Sequence, residues 1–308
     1  MSIGDVAPVE GVPDCYYVDT GMYGTEKYGA VYIYDTERPA MIDAGIGKNY
    51  DLLLDALDEV GIARDDLDLL VPTHVHLDHA GGAGFLADAC PNAEVLIHER
   101  GARHVIDPER LWEGTKAVVG RQIDYYVEPD PVPDSRVTPL VDGETIDLGD
   151  RELDVREAPG HAPHQHVLHD ADADAVFVAD AAGIYVPQLD AVEPTSPPSN
   201  FDFEQCIEDV RLLQRLDAET LCYAHFGPAP ADGLLTEFAD VLTDWVESIA
   251  EARVELEDDE AVVERFVEAT DMDEVWSERK AHTETSMNVR GVLGYLDRRE
   301  AAADADRA

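Results

Sequence analysis

The stretch Thr73-His74-Val75-His76-Leu77-Asp78-His79 decides the fold of this chain. It places four side chains that can bind metal within six residues, directly after the apolar run Leu69–Val71. Side chains two positions apart in an extended segment point to one side, so His74 and His76 can chelate one metal together. Asp78 and His79 come where the chain turns towards a helix, and they therefore suit a second metal. No single run of chain completes both coordination spheres, so distant loops must close them.

The pattern His-x-His-x-Asp-His resembles the signature of the metallo-β-lactamase superfamily. Gly81-Gly82 directly behind it looks like the glyoxalase II and lactonase branch, and the resemblance extends from about Tyr16 to Gly227. It implies an α/β fold, the four-layer αββα sandwich of that superfamily. The runs 98–104 and 197–202 resemble a little-characterised subgroup of archaeal and bacterial hydrolases and say little about the substrate.

Three more ligands are implied by the resemblance. His161, in Ala158-Pro159-Gly160-His161-Ala162-Pro163, matches the third histidine on the first metal, and Asp180 matches the carboxylate that bridges both metals. His225, in Tyr223-Ala224-His225-Phe226-Gly227, matches the last histidine on the second metal. Each lies just past a β-like run, where loops carry chemistry on a rigid scaffold. The implied ligand sets are His74, His76 and His161 for the first metal, Asp78, His79 and His225 for the second, and Asp180 for both.

The ligand set predicts the metal and the reaction. Imidazole and carboxylate ligands without thiolate suit zinc, so we expect two Zn²⁺ ions, although iron or manganese also bind such sets. A water bridging two metals about 3.5–4 Å apart ionises near neutral pH, and the metals clamp the attacking and developing oxygens. Asp78 and Asp180 are the expected catalytic carboxylates, and Asp78 can hold the hydroxide in position. The predicted activity is hydrolysis of a thioester, an ester or a lactone.

His76 bears on the alternatives. The flavin-linked diiron branch of the superfamily carries Glu at this position, so a histidine there favours hydrolysis over redox chemistry. The iron-dependent sulfur dioxygenase branch keeps the same histidines, so a mononuclear-iron persulfide dioxygenase remains the alternative. A relative that processes nucleic acid would need a basic arm for phosphates, and none is visible. A glutathione thioester would need a basic cluster in the C-terminal helices, where Arg290 stands nearly alone.

Other polar residues near the motifs have two possible roles each. Asp43, in Met41-Ile42-Asp43-Ala44-Gly45, resembles the family's buried aspartate, which would hydrogen-bond a ligand histidine; the alternative is a cap at the end of a strand. His164 or His166 could touch the substrate. Tyr185 and Tyr223 could donate to an oxyanion or lie in the core. Surface or packing roles are expected for the remaining histidines, His98, His104, His169 and His282.

The charge of the chain predicts adaptation to salt. Its 308 residues include 67 Asp and Glu against 22 Lys and Arg, for a formal net charge of −45. The acidic excess is spread along the chain and only four residues are lysines, which looks like the surface of a protein from a salt-loving organism. Such a surface repels itself in dilute buffer, whereas molar salt shortens the screening length to about 3 Å. We therefore expect folding to require salt.

Composition also bears on partners and location. A strongly acidic chain is a poor partner for nucleic acid, which rewards Lys and Arg at phosphates, so a small-molecule substrate is expected. The first residues, Met1–Val6, show no signal-peptide pattern, and no run of 18 apolar residues is present. The four cysteines form no C-x-x-C pair, which is typical of reduced thiols. A soluble cytoplasmic protein without a membrane partner is therefore expected.

The order of the elements predicts two parts. Alternating strand and helix patterns place a metallo-β-lactamase-like domain at 1–228, and the amphipathic run from Leu234 to Ile249 begins a C-terminal helical extension at 229–308. Residues of about 104–140 break the alternation and predict a long irregular insertion. This insertion is expected to act as a lid or substrate wall, or else as a packed surface excursion or dimer contact. The helical tail makes a homodimer plausible.

Overall fold

The computed structural model describes residues 1–305 and 307, and it contains two large β-sheets. The first sheet has seven strands in chain order, β1 to β7: Val6–Pro8, Cys15–Asp19, Ala30–Tyr34, Ala40–Ile42, Leu69–Val71, Glu94–His98 and Val137–Leu140. Neighbouring strands are antiparallel from β1 to β4 and parallel from β4 to β7. The parallel half of the sheet delivers the histidine motif, because that motif follows β5 directly.

The second sheet has six strands in the order β15-β14-β11-β10-β9-β8, and β12 pairs with β13 beside it. The strands β8 to β15 are Thr145–Asp147, Glu152–Glu157, His166–Asp170, Ala175–Ala179, Ile184–Val186, Ala191–Glu193, Thr220–Tyr223 and Gly227–Pro230. Only the pair β11 and β14 is parallel in this sheet. Parallel strands end at the same edge, so the residues after β11 and β14 lie close together.

Nine α-helices flank the two sheets in the part of the chain that the structure describes. Helices α1 to α9 are Tyr50–Val60, Leu77–Ala80, Ala83–Ala89, Glu99–Ile106, Glu109–Val118, Phe203–Leu216, Leu234–Leu256, Asp259–Ala269 and Glu278–Ala305. Helices α1, α3 and α4 cover the first sheet, and α6 to α9 share a hydrophobic cluster with the second sheet. The four-layer αββα arrangement predicted from the sequence is confirmed.

Alternating side chains hold the layers together, as the two-residue period of a strand requires. In β3, Val31 and Ile33 pack towards the helices, whereas Tyr32 points between the sheets. The Tyr32 ring meets Phe177 of the second sheet edge to face, with the ring centroids 5.1 Å apart. Full burial of each such side chain contributes about 1.5–3 kcal/mol. These contacts fix the spacing of the sheets and therefore of the loops at their edges.

The C-terminal helices are extensive. Helix α7 places Leu235, Phe238, Leu242 and Ile249 on one buried face, which confirms the amphipathic helix predicted there. Because the same hydrophobic cluster contains Val176 of β11, these helices complete the core beside the second sheet. The division into domains at residue 228 and the homodimer stay predictions. None of the helices within residues 1–305 combines the length and apolarity needed to cross a bilayer.

The insertion at 104–140 is more regular than predicted. Its first part completes α4 and forms α5, and a 3₁₀ segment, Gly120–Tyr125, follows. The expectation of a long irregular segment is therefore wrong for this part, and the irregular backbone is confined to the proline-rich stretch 126–133. Pro108 precedes the first turn of α5, where a missing amide hydrogen costs nothing.

Candidate metal centre and substrate cavity

The histidine motif bridges the end of β5 and the start of α2. His76 has φ −57° and ψ 142°, so the backbone is still extended there, and Asp78 and His79 lie in the first turn of the helix. The change of direction at His76 turns the first pair of side chains and the second pair towards different points, as predicted. His74 is 0% and His79 is 1% exposed, whereas His76 and Asp78 are half-buried.

Three histidines converge on the first point. The His74 Nε2 atom lies 3.0 Å from His76 Nδ1, and His161 Nε2 lies 3.1 Å from the same atom. His161 follows β9 in a loop whose Gly160 amide donates to Asp209 Oδ2 at 2.6 Å. All three ring nitrogens lie within 4.8 Å of one another, which is the spacing of donors around a single ion.

A second group forms beside the first. Asp78, His79 and His225 each offer one atom within 4.8 Å of the other two. The His225 Nε2 atom lies 3.8 Å from Asp78 Oδ2. His225 comes from the turn between β14 and β15, so a residue far along the chain completes this group.

Asp180 lies between the two groups. Its Oδ2 atom is 3.0 Å from His161 Nε2 and 3.5 Å from His79 Nε2, and its Oδ1 atom is 3.6 Å from His225 Nε2. This carboxylate follows β11, which runs parallel to β14 and so ends at the same edge. The structure therefore brings together all seven residues that the sequence indicated.

Hydrogen bonds behind the site fix which ring nitrogen faces the cluster. Asp43 Oδ2 accepts from His79 Nδ1 at 2.9 Å, and its Oδ1 accepts from the Thr73 amide at 2.7 Å. The Tyr28 carbonyl accepts from His225 Nδ1 at 3.2 Å, and a carbonyl can only accept. In its neutral form each of these histidines therefore directs the lone pair of Nε2 at the cluster.

The electrostatics of the cluster suit a cation. Burial lowers the pKa of His161 to about 3, so its ring is neutral and its lone pair is available. Burial alone would raise the pKa of Asp180, but the surrounding histidines, His161 first, lower it below the usual range. Burial opposes a charge on His79, yet Asp180 and Asp43 on either side raise its pKa. The neutral His161 ring beside the ionised Asp180 carboxylate is a suitable pair of metal ligands.

Unpaired buried atoms support the same conclusion. His79 Nε2 and Asp180 Oδ1 are both buried and have no hydrogen-bond partner among the described residues. An unsatisfied buried polar atom is costly, about 1–3 kcal/mol. Both atoms face the point where the groups meet. The residues present therefore fit a metal centre, with orphaned donors where ions would bind.

A cavity of about 280 Å³ opens over the cluster. Asp78, His161, Asp180 and His225 lie among the residues that line it. One wall comes from the insertion and is mostly apolar, and its residues include Leu111, Val118, Val119, Gln122 and Tyr126. Helix α9 contributes to the lining through Glu284 and Met287. A small molecule that enters this cavity meets the clustered carboxylates and histidines.

Two tyrosines near the cluster, Tyr23 and Tyr28, were missed by sequence reasoning. Tyr23 donates to Asp78 Oδ2 at 3.3 Å and lies 2.6 Å, oxygen to oxygen, from Tyr126. Tyr28 packs against the His225 ring, with centroids 4.9 Å apart. No motif marks these positions, because each comes from a loop whose sequence carries no spacing signal. Tyr185 and Tyr223, which were considered instead, do not line the cavity, and the Tyr185 hydroxyl donates to Asp190.

The other histidines near the site have different surroundings. His164 lines the cavity, as one reading of the sequence allowed, and His104 also lines it although a surface or packing role was expected. His166 is buried away from the cavity, and its two ring nitrogens have no partner among the described residues. His98 has the expected packing role, with its Nε2 atom 3.0 Å from Glu157.

Comparison with known proteins agrees with the fold and the clustered residues described above. Residues 24–225 match the sequence profile of the metallo-beta-lactamase superfamily. The human protein named acyl-coenzyme A thioesterase MBLAC2 is 31% identical over 219 residues, which cover 65% of this chain and 73% of that protein. ST1585 from Sulfurisphaera tokodaii, a metallo-beta-lactamase fold-containing protein, is 29% identical over 212 residues, covering 65% and 74%.

A solved structure supports the fold. The crystal structure of ST1585 superimposes with a TM-score of 0.67 at 21% identity, and the match covers 92% of this chain and 99% of that one. At that identity the likeness speaks for the architecture alone. The profile, however, matches well over half of the chain and includes every residue of the clustered site. The chain therefore belongs to the metallo-β-lactamase superfamily.

Proposed function

We propose that this protein is a metal-dependent hydrolase that cleaves thioesters with two zinc ions at the clustered site. The observation that carries the proposal is the convergence of two three-residue groups on Asp180, at the floor of a cavity large enough for part of a small molecule. In this proposal the first ion is held by His74, His76 and His161, the second by Asp78, His79 and His225, and both by Asp180.

Two ions bound there would supply an ionised water at neutral pH and a Lewis acid for a substrate carbonyl. The side chains of the protein prepare the site for that chemistry. Tyr23 holds the Asp78 carboxylate in place through its hydroxyl. Asp43 and the Tyr28 carbonyl orient the rings of His79 and His225. Asp78 and Asp180 are the proposed catalytic carboxylates: in this proposal Asp180 joins the two groups, and Asp78 keeps the nucleophile between them.

The cavity favours an acyl substrate. Its apolar wall offers a surface for a hydrocarbon chain, and apolar burial contributes about 25 cal/mol per Å². The relatives named acyl-coenzyme A thioesterase act on a bond of the predicted class, which favours a thioester over a lactone or a simple ester. Arg290 pairs with Glu260 at 2.6 Å rather than facing the cavity, which speaks against a glutathione-binding site on the C-terminal helices.

The first experiment measures metal content and activity on the same preparation. Protein purified in high salt is analysed for zinc and iron, and then assayed with a panel of acyl thioesters and lactones. About two zinc per chain with thioester turnover supports the proposal. About one iron with oxygen consumption on a persulfide would contradict it in favour of the dioxygenase that shares these ligands.

His76→Ala tests the site itself. This change removes the nitrogen that both His74 and His161 approach, so metal content and turnover are expected to fall together. The matched control is His282→Ala on α9, because this histidine does not line the cavity. Full turnover by a metal-free His76→Ala protein would refute the mechanism.

We also propose that the protein is haloadapted and functions in the cytoplasm. The formal net charge of −45 supports the first part of this proposal, and exposed arginines such as Arg211 and Arg265 are held in ion pairs by neighbouring glutamates. Screening by salt weakens the repulsion between the acidic side chains that remain.

A further inference from the structure

The cavity mouth carries positive charge that no ion pair within the described residues neutralises. Arg100, Arg103 and Arg110 are exposed, and none has a carboxylate within 4.0 Å in the part of the chain that the structure describes. Elsewhere, exposed arginines such as Arg265 and Arg290 lie 2.8 Å and 2.6 Å from a glutamate. The chain has about three acidic residues for each basic one, and yet these three guanidinium groups have no carboxylate partner among the described residues.

These arginines belong to the mouth of the cavity. Arg110 lines it directly, together with His104 and His164. Arg103 Nε donates to His104 Nε2 at 3.1 Å, so it stands immediately behind a lining residue. Arg100 Nη1 donates to the carbonyl of Pro163, the neighbour of His164, at 3.2 Å. Arg110 therefore lies at the opening, and the other two arginines contact His104 and the neighbour of His164 beside it, with the clustered site at the far end.

The pKa of His104 is consistent with positive charge at the cavity mouth. Burial, followed by the charges of Arg103 and Arg110, lowers the pKa of His104, so its ring stays neutral and adds no charge of its own. The cavity therefore has three different surfaces: carboxylates and histidines at the floor, an apolar wall from the insertion, and guanidinium groups at the rim. A ligand that matches all three has a carbonyl at one end, an apolar part, and an anion at the other end.

Resting on the thioesterase function proposed above, we propose that Arg103 and Arg110, with Arg100 beside them, bind the phosphate of a phosphorylated thiol carrier such as coenzyme A. Guanidinium groups present their donors as a planar fork that matches phosphate oxygens. A direct contact of this kind persists at high ionic strength, where a long-range attraction is screened within about 3 Å at 1 M salt.

The test compares thioesters that carry the same acyl group on three thiols: pantetheine, 4′-phosphopantetheine and coenzyme A. The first two differ by one phosphate only. In the double variant Arg103→Ala/Arg110→Ala, KM for the two phosphorylated substrates is expected to rise about tenfold or more, as for loss of a hydrogen bond to a charged group. Values of kcat should hold, because a contact remote from the reacting bond is equal in ground and transition states. KM for the pantetheine thioester should not change.

The control is Arg215→Ala, which removes another exposed arginine that is free of ion pairs among the described residues and does not line the cavity. If the double variant changed KM equally for all three thioesters, the inference would be overturned. If the wild type turned over none of the thioesters, the proposed function would be overturned. In that second case calorimetric titration with 4′-phosphopantetheine and pantetheine decides separately. Tighter binding of the phosphorylated thiol by wild type, lost in the double variant, would support the rim site; equal binding would refute it.

Discussion

Lys280 and Glu284 form an ion pair in the interior, one helical turn apart on α9. Their side chains are 2% and 8% exposed. The Lys280 Nζ atom lies 3.8 Å from the centre of the Tyr28 ring and 4.4 Å from that of Tyr23. Glu284 also accepts from the Tyr28 hydroxyl at 3.3 Å and from Asn288 at 3.1 Å. The pair therefore joins the C-terminal helix to the loop that supports the clustered site.

Lys280→Met should be strongly destabilising, because it leaves the Glu284 carboxylate buried without its cation. Breaking a buried pair costs about 3–5 kcal/mol. The abandoned carboxyl can instead take up a proton. Near pH 8 this sets an upper limit of about 5 kcal/mol, from 1.36 kcal/mol for each unit between that pH and the value of about 4.3 of a glutamate in a model peptide. We therefore expect a loss of about 3–5 kcal/mol, which decreases as the pH is lowered.

Glu284→Gln should cost less, because the amide still accepts from Tyr28 and the abandoned lysine can lose its proton. Burial already lowers the pKa of Lys280, and Glu284 is the first group that opposes this. The cost near pH 8 is limited to about 3 kcal/mol by the distance from 10.4. The pH dependence of this cost is opposite to that of Lys280→Met, since the stability of Glu284→Gln recovers as the pH rises. The double variant Lys280→Met/Glu284→Gln should lose only about 1–2 kcal/mol, because replacing both charges is often nearly neutral.

The assay is thermal unfolding of metal-free protein at constant molar KCl, since bound metal would add its own stabilisation. At about 2 °C for each kcal/mol in a chain of this size, Lys280→Met should melt about 6–10 °C lower than the wild type. The matched control is Lys116→Met, because Lys116 also pairs with a glutamate on its own helix and approaches an aromatic ring, but is 40% exposed. That change should cost at most about 0.5 kcal/mol. Equal melting points for the two variants, or additive losses in the double variant, would refute the reasoning.

Three further predictions follow from particular contacts and charges. Asp43→Asn should weaken metal binding about 10- to 100-fold in a chelator competition, because the support of His79 is lost, while asparagine tolerates the left-handed backbone at φ 63°; unchanged affinity would show that the contact is passive. Burial and then Asp271 raise the pKa of Glu193 to about 7, so the folded state holds a proton that the unfolded state releases, and stability falls as the pH rises from about 4.5 to 7. Glu193→Gln should therefore gain melting temperature over the wild type at pH 8 relative to pH 5, and an equal difference at both would contradict this. The wild-type melting temperature should rise between 0.1 M and several molar KCl, and a flat profile would remove the case for haloadaptation.

The seven clustered residues could be predicted from the sequence because their chemistry is written in local patterns. Four of them occupy six consecutive positions, and each of the others follows a strand. Asp180 and His225 meet in space because β11 and β14 run parallel and end at one edge of the sheet. His161 joins them because β9 and β11 are both antiparallel to β10 and so run in the same direction. Asp43 also follows the end of a strand, and its Oδ2 atom lies 2.9 Å from His79 Nδ1, as expected of a residue that orients this histidine.

The wall of the cavity could not be predicted in the same way. Tyr28 and Glu284 are 256 positions apart, and no periodicity or spacing joins two such residues. Helix α5 was missed for a different reason. Its apolar positions are correctly spaced, but Gly114 costs about 1 kcal/mol in a helix interior and indicates a break when read alone. Leu111 and Trp112 pack against the hydrophobic cluster that contains Tyr23, and this contact between distant parts of the chain outweighs that cost.

The clustered residues and part of the cavity lining come from different segments of the chain, and this explains why the reaction is easier to infer here than the substrate. Every clustered histidine and carboxylate lies within residues 24–225, the part that matches the superfamily. Glu284 and Met287 line the same cavity from α9, beyond that part. Two members of the superfamily can therefore share the site completely and differ in what reaches it. Similarity across the clustered residues indicates the reaction, but it does not constrain the residues of the cavity wall. The proposed binding of a phosphate-bearing carrier therefore has to be tested by substituting the rim arginines of this chain.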